Sequence, residues 1–420
     1  MTTKELTILS LTRIEDAAKR IEKVVYQTPL HPNRTFSETF DANVSFKRED
    51  LQPVRSYKIR GAFNKMSQIL DDRKANGVVC ASAGNHAQGV ALACDELQIK
   101  GTIFMPTPTP KQKVEQVKFF GKDSIDVVLI GDTFDDAYEQ AIQYCTDTRG
   151  EFVHPFDDEE VMCGQGTVGL EILRSSDQPI DYLFLPVGGG GLASGVASVF
   201  KQLSPETKLI GVEPAGAPAM KRSIEEDKHL MLEEIDKFVD GAAVQSVGQK
   251  TLQVCKHLLD QVITVKEGKI CATMLELYNR EAIVVEPAGA LSVAALDQFK
   301  SQIKGKNVVC VLSGSNNDIS RMEEIKERAL LYEGLKHYFI VRFPQRAGAL
   351  KEFLVDVLGP TDDIVLFEYT KKNARENGPA LIGIEHQHTK DFEPLMQRMK
   401  AKRINMEYLN NRTDLFQFIL

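Results

Sequence analysis

Short apolar runs alternate with longer stretches of helical periodicity along most of this 420-residue chain. From about Ile14 to Ile325, a β-branched run, a turn containing glycine and a stretch with helical spacing of apolar residues recur in that order. This alternation predicts an α/β fold with a doubly wound, mostly parallel sheet. Eight strands are expected, several of them continuously apolar, as in sheets covered on both faces: Val44–Lys47, Gly77–Cys80, Gly101–Met105, Asp126–Ile130, Tyr182–Val187, Lys208–Val212, Asp260–Val265 and Asn307–Leu312.

The pattern changes near the charged helical segment at residues 321–334. Beyond it, the order strand, helix, strand, strand, helix, strand predicts a small ferredoxin-like α+β domain. We expect residues 1–325 to form the larger part, 326–336 a helical linker and 337–420 the small domain. Its elements are expected at His337–Arg342, Leu350–Leu358, Ile364–Tyr369, Ala380–His386, Phe392–Lys402 and Ile404–Leu409.

Charge and composition narrow the classes of protein to consider. The net charge of -8 is spread along the chain without a basic block, so nucleic acid is not an expected partner. Met1–Ser10 lacks the pattern of a secretory signal, and no later segment stays apolar long enough to span a membrane. The seven cysteines form no C-x-x-C pair and are interpreted as reduced core residues. These features predict a cytoplasmic protein.

A run of four glycines, Gly188, Gly189, Gly190 and Gly191, directly follows an apolar strand, and Leu192 then opens a stretch of helical character. Without side chains the backbone can turn sharply and bring successive N–H groups close to an anion, and the helix dipole adds favourable partial charge. The run therefore predicts a phosphate-binding loop.

Two other interpretations of these glycines stay open. Gly188, Gly190 and Ala193 also fit the dinucleotide pattern G-x-G-x-x-A, with Glu213 about twenty residues on, where an acid can bind ribose. The glycines can also serve only a tight turn and close packing of helix against sheet. The sequence of this segment alone does not distinguish a nicotinamide cofactor from another phosphate-bearing ligand.

Two further segments, Arg55–Ala62 (RSYKIRGA) and Ser82–Gly89 (SAGNHAQG), resemble signatures of the fold type II pyridoxal-phosphate enzymes, and most closely those of the serine/threonine dehydratase family. The resemblance covers about Ile14–Arg321 and implies two α/β subdomains with the cofactor between them. The family's Schiff-base lysine corresponds here to Lys58. A Schiff-base lysine both anchors the cofactor and takes the Cα proton once the substrate amine has displaced it.

The second segment follows a predicted strand and opens a helix. Backbone N–H groups of Ser82, Ala83, Gly84, Asn85 and His86, with the Ser82 hydroxyl, are thus placed to receive a substrate carboxylate. By resemblance, Asn85 also hydrogen-bonds the 3'-oxygen of the cofactor. His86 in this setting is more typical of a packed, loop-bracing residue than of a proton-transfer group.

The strand Asn307–Leu312 ends at Ser313, at the sheet edge where open α/β folds bind ligands. Resemblance places the Ser313 hydroxyl against the pyridine nitrogen of the cofactor, although a plain strand-end turn also explains this composition. A hydroxyl cannot keep that nitrogen protonated as a carboxylate would, which favours expulsion of a β-hydroxyl over accumulation of a carbanion.

Three other positions refine the comparison with the family. The loop Asp240–Val244 resembles the one that lies beside the cofactor ring. Glu213 corresponds to a residue that binds a cation in some relatives, but Ala219 stands where divalent-binding members carry a second acid. A weak cation site at Glu213 therefore stays open, and no obligatory metal is predicted. Ala83 replaces the serine that racemases use on the opposite face of Cα, which favours elimination over racemisation.

The C-terminal part resembles the ACT-like regulatory domain of biosynthetic threonine dehydratases, through Phe343–Leu350 and an aromatic strand around Leu415–Ile419. The resemblance implies one such domain, L-isoleucine as effector, and a homo-oligomer, either a dimer or a homotetramer. Alternatively, this domain binds no effector and only stabilises the oligomer.

These features together predict a pyridoxal-phosphate-dependent dehydratase that converts L-threonine to 2-oxobutanoate and ammonia, the committed step of isoleucine biosynthesis. L-Serine is the expected secondary substrate. Serine dehydration as the main task, or another β-elimination or replacement reaction, is the alternative among enzymes. Two alternatives belong to other functional classes: a nicotinamide-binding protein and a non-catalytic amino-acid sensor.

Overall fold

The computed structural model describes residues 8–369 and 377–412. The chain divides into two compact units: Met1–Glu267 with Glu276–Asn317, and Gly268–Leu275 with Asp318–Leu420. The helical segment expected to link two domains is thus grouped with the second unit. In the described part of the chain, no helix is both long and apolar enough to cross a membrane.

The described residues form sixteen α-helices and fourteen β-strands. The helices are α1 Leu11–Ile21, α2 Arg34–Phe40, α3 Lys58–Met66, α4 Asp71–Lys74, α5 Asn85–Leu97, α6 Lys111–Gly121, α7 Phe134–Thr148, α8 Glu159–Ser175, α9 Gly191–Leu203, α10 Ala219–Glu225, α11 Gln249–Leu258, α12 Glu267–Glu281, α13 Pro287–Ala294, α14 Met322–Tyr332, α15 Ala349–Asp356 and α16 Phe392–Ala401. The strands are β1 Leu30–Pro32, β2 Asn43–Arg48, β3 Val78–Ala81, β4 Gly101–Met105, β5 Ile125–Leu129, β6 Glu151–Phe152, β7 Tyr182–Pro186, β8 Lys208–Pro214, β9 Gln261–Val265, β10 Asn307–Leu312, β11 Lys336–Pro344, β12 Asp363–Tyr369, β13 Asn377–Glu385 and β14 Met406–Tyr408.

The first unit contains two sheets. A six-stranded sheet has the order β1-β2-β10-β7-β8-β9, in which only β1 runs antiparallel to its neighbour. A four-stranded parallel sheet has the order β5-β4-β3-β6. All eight predicted strands are present, with ends within two residues of those expected, and the α/β prediction is confirmed. The short strands β1 and β6 were not predicted, because two or three residues carry too little periodicity.

Each sheet has its own apolar core. Around the larger one, α1, α8 and α9 pack on β7 and β10 through residues such as Ile14, Val196 and Leu183. Around the smaller one, α3 and α5 pack on β3 and β4, with Ile59 and Val90 fully buried. The central strands are buried along almost their whole length, as expected for sheets covered by helices on both faces.

The second unit has the predicted βαββαβ order in β11, α15, β12, β13, α16 and β14. Its sheet is antiparallel throughout, in the ferredoxin-like order β12-β13-β11-β14. Phe339, Phe353, Ile382 and Leu395 are fully or almost fully buried between this sheet and its two helices. The predicted aromatic strand around Leu415–Ile419 lies outside the described residues.

Candidate active site

The large sheet brings two predicted site segments to one edge. Strands β7 and β10 are parallel neighbours, with Cys310 paired to Phe184, so the glycine run and Ser313 leave the sheet side by side. The backbone N–H of Tyr57 donates to the carbonyl oxygen of Ser313 at 3.2 Å. Lys58, the first residue of α3, therefore stands next to the end of β10.

The glycine run forms a buried turn that leads into α9. Gly190 has a φ of 93°, a conformation that favours glycine, and the helix begins at Gly191. Among the described residues, the backbone N–H groups of Gly188–Leu192 donate to no protein acceptor. Buried N–H groups are almost always paired, so this concave row is suited to an anionic group such as a phosphate.

Close packing leaves this loop no room for side chains. A Cβ on Gly189 would lie 2.2 Å from the Phe156 ring, and one on Gly188 would lie 2.9 Å from the Cα of Ala242. Ala242 belongs to the loop Asp240–Val244, which was predicted to shape the pocket. The backbone can thus approach a ligand closely, whereas any side chain here would displace its neighbours.

The amine of Lys58 is held by the segment that follows β6. Its Nζ donates to the carbonyl oxygen of Pro155 at 3.0 Å and lies 5.4 Å from the centre of the Tyr57 ring. Burial lowers the pKa of Lys58 to about 8, while the negative charge of Glu286 opposes that shift. Compared with an ordinary lysine, more of this amine is unprotonated near neutral pH, the form that attacks an aldehyde.

A buried network of charges anchors the helix that carries Lys58. The Arg60 guanidinium pairs with Glu49 at 2.7 Å and with Glu171 at 2.6 Å. Lys47 Nζ also reaches Glu171, at 2.5 Å. The network ties α3 to α8 and to the end of β2, so it fixes Lys58 relative to the large sheet.

The predicted substrate loop lies after β3, in the smaller sheet. Helix α5 begins at Asn85, and Ser82 Oγ accepts a hydrogen bond from Gly84 N at 3.2 Å. A Cβ on Gly84 would meet nothing within 4 Å, so this face of the loop is open, and Ala83 beside it offers no ionisable group. The first N–H groups of α5 have no partner within the helix, which suits them to bind a carboxylate.

His86 braces this loop. The imidazole is buried, with Nε2 2.8 Å from the carbonyl oxygen of Val153, so Nε2 carries the proton of the neutral ring. Burial, assisted by the charge of Lys58, lowers the pKa of His86 to about 3. The side chain is therefore neutral at physiological pH, and its Nε2 is bonded to the backbone of Val153.

Two side chains that sequence reasoning missed meet Asn85. Asn85 Nδ2 donates to Glu286 Oε1 at 2.6 Å, and Asn316 Nδ2 donates to Asn85 Oδ1. Glu286 is buried, and burial together with the charge of Asp240 raises its pKa to about 7. The only signal in the sequence was an acid just before Pro287, a helix-starting proline, within an otherwise apolar stretch.

Glu213 serves as a helix cap. Its two carboxylate oxygens accept from the backbone N–H groups of Met220 and Lys221 at 2.7 and 2.8 Å, at the start of α10. Burial raises the pKa of this carboxyl to about 8. No cluster of three or more metal-ligating side chains occurs in the ranges that the structure describes.

The residues present fit pyridoxal phosphate. The row of free N–H groups suits its phosphate, the half-buried Lys58 amine suits its aldehyde, and Asn85 and Ser313 are brought to the same region by Glu286, Asn316 and Tyr57. The structure thus brings segments that follow strands of both sheets into contact, and the roles of their residues stay predictions.

Comparison with known families agrees with this geometry. Residues 21–314 match the model of pyridoxal-phosphate dependent enzymes, and residues 327–419 match the model of the C-terminal regulatory domain of threonine dehydratase. The first match spans both sheets, and the second spans the ferredoxin-like part. The cofactor is therefore pyridoxal phosphate.

Curated relatives match over nearly their whole length. The chain is 57% identical to the biosynthetic L-threonine dehydratase of Halalkalibacterium halodurans, with 97% of this chain and 99% of the relative covered. It is 55% identical to that of Bacillus subtilis, with 99% of each covered. The solved structure of processed threonine deaminase isoform 2 from Solanum lycopersicum is 39% identical, with a TM-score of 0.73 over 78% of this chain and 92% of that one. The chain belongs to the biosynthetic threonine dehydratase family of pyridoxal-phosphate-dependent enzymes.

Proposed function

We propose that this chain is an L-threonine dehydratase that forms 2-oxobutanoate and ammonia at the head of isoleucine biosynthesis. The observation that carries the proposal is the half-buried amine of Lys58, held by the Pro155 carbonyl, near a loop of unpaired backbone N–H groups, in a chain of this family. A nicotinamide cofactor is disfavoured, because Glu213, the acid that would bind its ribose, is already bonded to the backbone of α10.

Each part of the site has one task in this scheme. Gly188–Leu192 bind the phosphate through their N–H groups, and Lys58 anchors the cofactor and then moves the proton of the substrate Cα. When bound, pyridoxal phosphate supplies an electron sink for the pair of electrons left on that carbon. The Pro155 carbonyl oxygen and the Tyr57 ring hold the Lys58 amine in place.

The remaining residues orient the ring and the substrate. Asn85 would hold the cofactor through its 3'-oxygen, and the neutral Ser313 hydroxyl would hold it through the ring nitrogen. The substrate carboxylate lies at the open start of α5, against the N–H groups of Asn85 and His86 and the hydroxyl of Ser82. With Ala83 offering no second base, loss of the β-hydroxyl is the favoured outcome rather than racemisation.

L-Serine serves as a secondary substrate. It differs from threonine by one methyl group, and a pocket discriminates a methyl group by only about 1–3 kcal/mol. The ratio of kcat/KM for the two amino acids measures this preference directly. A ratio that favours serine would make the enzyme a serine dehydratase on the same machinery.

The second unit is proposed to bind L-isoleucine and to regulate a cytoplasmic homotetramer. A cleft of about 420 Å³ in this unit is lined by apolar side chains such as Phe343 and Leu354 and by two cations, Arg346 and Lys351. Arg346 pairs with Glu352 at 2.6 Å on the surface, so an amino-acid carboxylate would compete with Glu352 for the guanidinium.

Isoleucine binding is tested by calorimetric titration of the full-length chain. Arg346→Ala should weaken binding, whereas Lys402→Ala, which breaks a comparable surface pair with Asp356, should leave it unchanged. Equal binding by all three proteins would remove Arg346 from the effector site, and no binding by the wild type would remove the regulatory proposal; neither outcome would touch the catalytic one. The mass of the intact assembly in solution tests the tetramer.

The catalytic proposal is tested at Lys58. The purified protein should show the absorption band of a lysine-bound cofactor, and borohydride reduction followed by peptide mapping should fix the cofactor on Lys58. Lys58→Ala should lose threonine turnover and the band together. A colourless protein that cannot be reconstituted with pyridoxal phosphate, or a Lys58→Ala variant that still turns over threonine, would contradict the mechanism.

A further inference from the structure

Glu286 lies where three loops of the site converge. It precedes α13, and its Oε1 accepts the hydrogen bond from Asn85, which follows β3. A Cβ on Gly314, in the loop after β10, would lie 2.6 Å from the same oxygen, and one on Gly241 would lie 3.2 Å from it. Two glycines thus make room for this one carboxylate beside Asn85.

The hydrogen bonds around Asn85 have a fixed direction. Asn316 Nδ2 donates both to the carbonyl oxygen of Val54, at 2.9 Å, and to Asn85 Oδ1. A carbonyl can only accept, so the Asn316 amide group must present its nitrogen on this side. Asn85 therefore presents its oxygen to Asn316 and its nitrogen to Glu286, and an ionised carboxylate can only accept from that nitrogen.

This arrangement leaves one N–H of Asn85 free. The amide nitrogen carries two hydrogens, of which Glu286 takes one. If the side chain were turned over, its carbonyl oxygen would point where the second hydrogen now points. An acceptor in that place would repel the 3'-oxygen of the cofactor instead of binding it.

We propose that Glu286 is a positioning residue, whose carboxylate, together with the Asn316 amide, holds the Asn85 side chain so that an N–H faces the cofactor. The inference rests on the proposed function, since it assigns the Asn85 N–H to the 3'-oxygen. Glu286 does not itself touch the cofactor in this scheme; it acts through Asn85.

The electrostatics of the pocket support this role. Glu286 is only 4% exposed, and burial, reinforced by the charge of Asp240, raises the pKa of its carboxyl, while the Asn85 amide and Lys113 oppose the shift. Burying an acid costs stability unless its hydrogen bonds compensate, and an apolar residue would fill the space at lower cost. The Asn85 amide is the side chain that bonds Oε1.

The test is a double-mutant cycle on cofactor affinity. Apoenzymes of the wild type, Asn85→Ala, Glu286→Gln and the double variant are titrated with pyridoxal phosphate at a pH above the pKa of both Glu286 and Lys58, so that the carboxylate is ionised and the lysine amine unprotonated. The Kd and the wavelength of the bound absorption band are recorded. Glutamine keeps the size of the side chain but loses the charge and can turn its own N–H towards Asn85, so that Asn316 alone then holds the Asn85 amide. We expect about a tenfold weaker Kd for Glu286→Gln, the effect of one hydrogen bond to a charged group, and a shifted band.

If Glu286 acts through Asn85, the double variant should bind no more weakly than Asn85→Ala alone. Glu276→Gln, which removes a surface carboxylate paired with Arg280, is the matched control and should bind as the wild type does. Unfolding of each apoenzyme followed by circular dichroism verifies that the variants fold. Should Glu286→Gln not fold, Glu286→Asp, which keeps an acceptor-only group at shorter reach, should show an affinity between those of the wild type and Asn85→Ala.

An unchanged Kd and band in Glu286→Gln, or an equal weakening with and without Asn85, would overturn the inference while leaving the dehydratase intact. Failure of the wild-type chain to bind the cofactor at all would instead overturn the proposed function. The two failures are therefore distinguishable in one titration series.

Discussion

Lys58 Nζ donates to the carbonyl oxygen of Pro155 across 3.0 Å. The next residue, Phe156, fills the space where a side chain of Gly189 would stand. One short segment after β6 therefore contacts both the lysine and the glycine loop, the two halves of the site that the sequence had predicted separately. The separation of amine and phosphate loop is set by this segment, which holds each of them against the same backbone.

The lowered pKa of Lys58 predicts how the apoenzyme takes up its cofactor. Coupling needs the unprotonated amine, so its initial rate should rise with pH with a midpoint near the pKa of about 8, not near ~10.4 as for an exposed lysine. Borohydride trapping at a series of pH values measures the rate. In Glu286→Gln the midpoint should move lower, because the carboxylate that raises this pKa is gone. A midpoint typical of exposed lysines would show that the amine is not desolvated.

Much of this site follows from local sequence. The glycine run and Ser313 could be placed at one sheet edge because each directly follows an apolar strand, and the carboxyl ends of parallel strands share an edge. Lys58 and Asn85 were assigned to the site because the sequences around them resemble signature segments of the family. The structure brings these segments together, but the catalytic roles of the residues stay predictions.

What the sequence did not reveal depends on contacts between distant residues. Glu286 lies 201 positions from Asn85 in the sequence. Its role depends on contacts with the Asn85 amide and on the space left by Gly241 and Gly314, and no local sequence pattern connects these residues. Arg60 is similar, because a charged residue beside Lys58 gives no sign that its partners Glu49 and Glu171 are buried with it. Short strands such as β6 also escape detection, although β6 leads into the Pro155 segment.

The Arg60 network predicts a large loss of stability when one member is removed. Arg60→Ala would leave the buried carboxylate of Glu49 without its main partner, which typically costs about 3–5 kcal/mol of the free energy of unfolding. Urea unfolding of the apoenzyme measures this loss. Arg34→Ala is the matched control, since Arg34 pairs with Glu38 on the surface with 90% of its side chain exposed, and it should change stability by less than about 1 kcal/mol. If both variants lowered the free energy of unfolding equally, the network would not anchor α3.

The lowered pKa of His86 predicts how the stability of this protein changes in acid. Its pKa is lowered to about 3 in the folded chain, first by burial and then by the charge of Lys58, against about 6.5 when unfolded. Between these values the unfolded chain binds more protons, so the stability that depends on neutral His86 is lost as the pH falls through this range. His86→Gln can still donate to Val153, and its free energy of unfolding should fall less between pH 6.5 and 4 than that of the wild type.

Denaturant unfolding at both pH values provides this comparison. Near neutral pH, His86→Gln should show the same inflections in the pH profile of kcat/KM as the wild type, because His86 does not titrate there. An inflection that disappears with His86→Gln would identify the imidazole as a proton-transfer group, against the bracing role that its contact with Val153 indicates.

The glycine loop predicts a steric effect that a second substitution can reverse. A methyl group at Gly189 would lie 2.2 Å from the Phe156 ring, so Gly189→Ala must displace the ring or the loop and misalign the N–H groups that face the phosphate. Strain of about 1–3 kcal/mol corresponds to roughly 5- to 150-fold weaker binding of pyridoxal phosphate, measured by titration of the apoenzyme. Gly84→Ala is the control, because its methyl group meets nothing within 4 Å, and it should keep the affinity for the cofactor. Since the clash is with one ring, adding Phe156→Ala to Gly189→Ala should restore part of the lost affinity; no recovery would mean that the loop fails for a reason other than this contact.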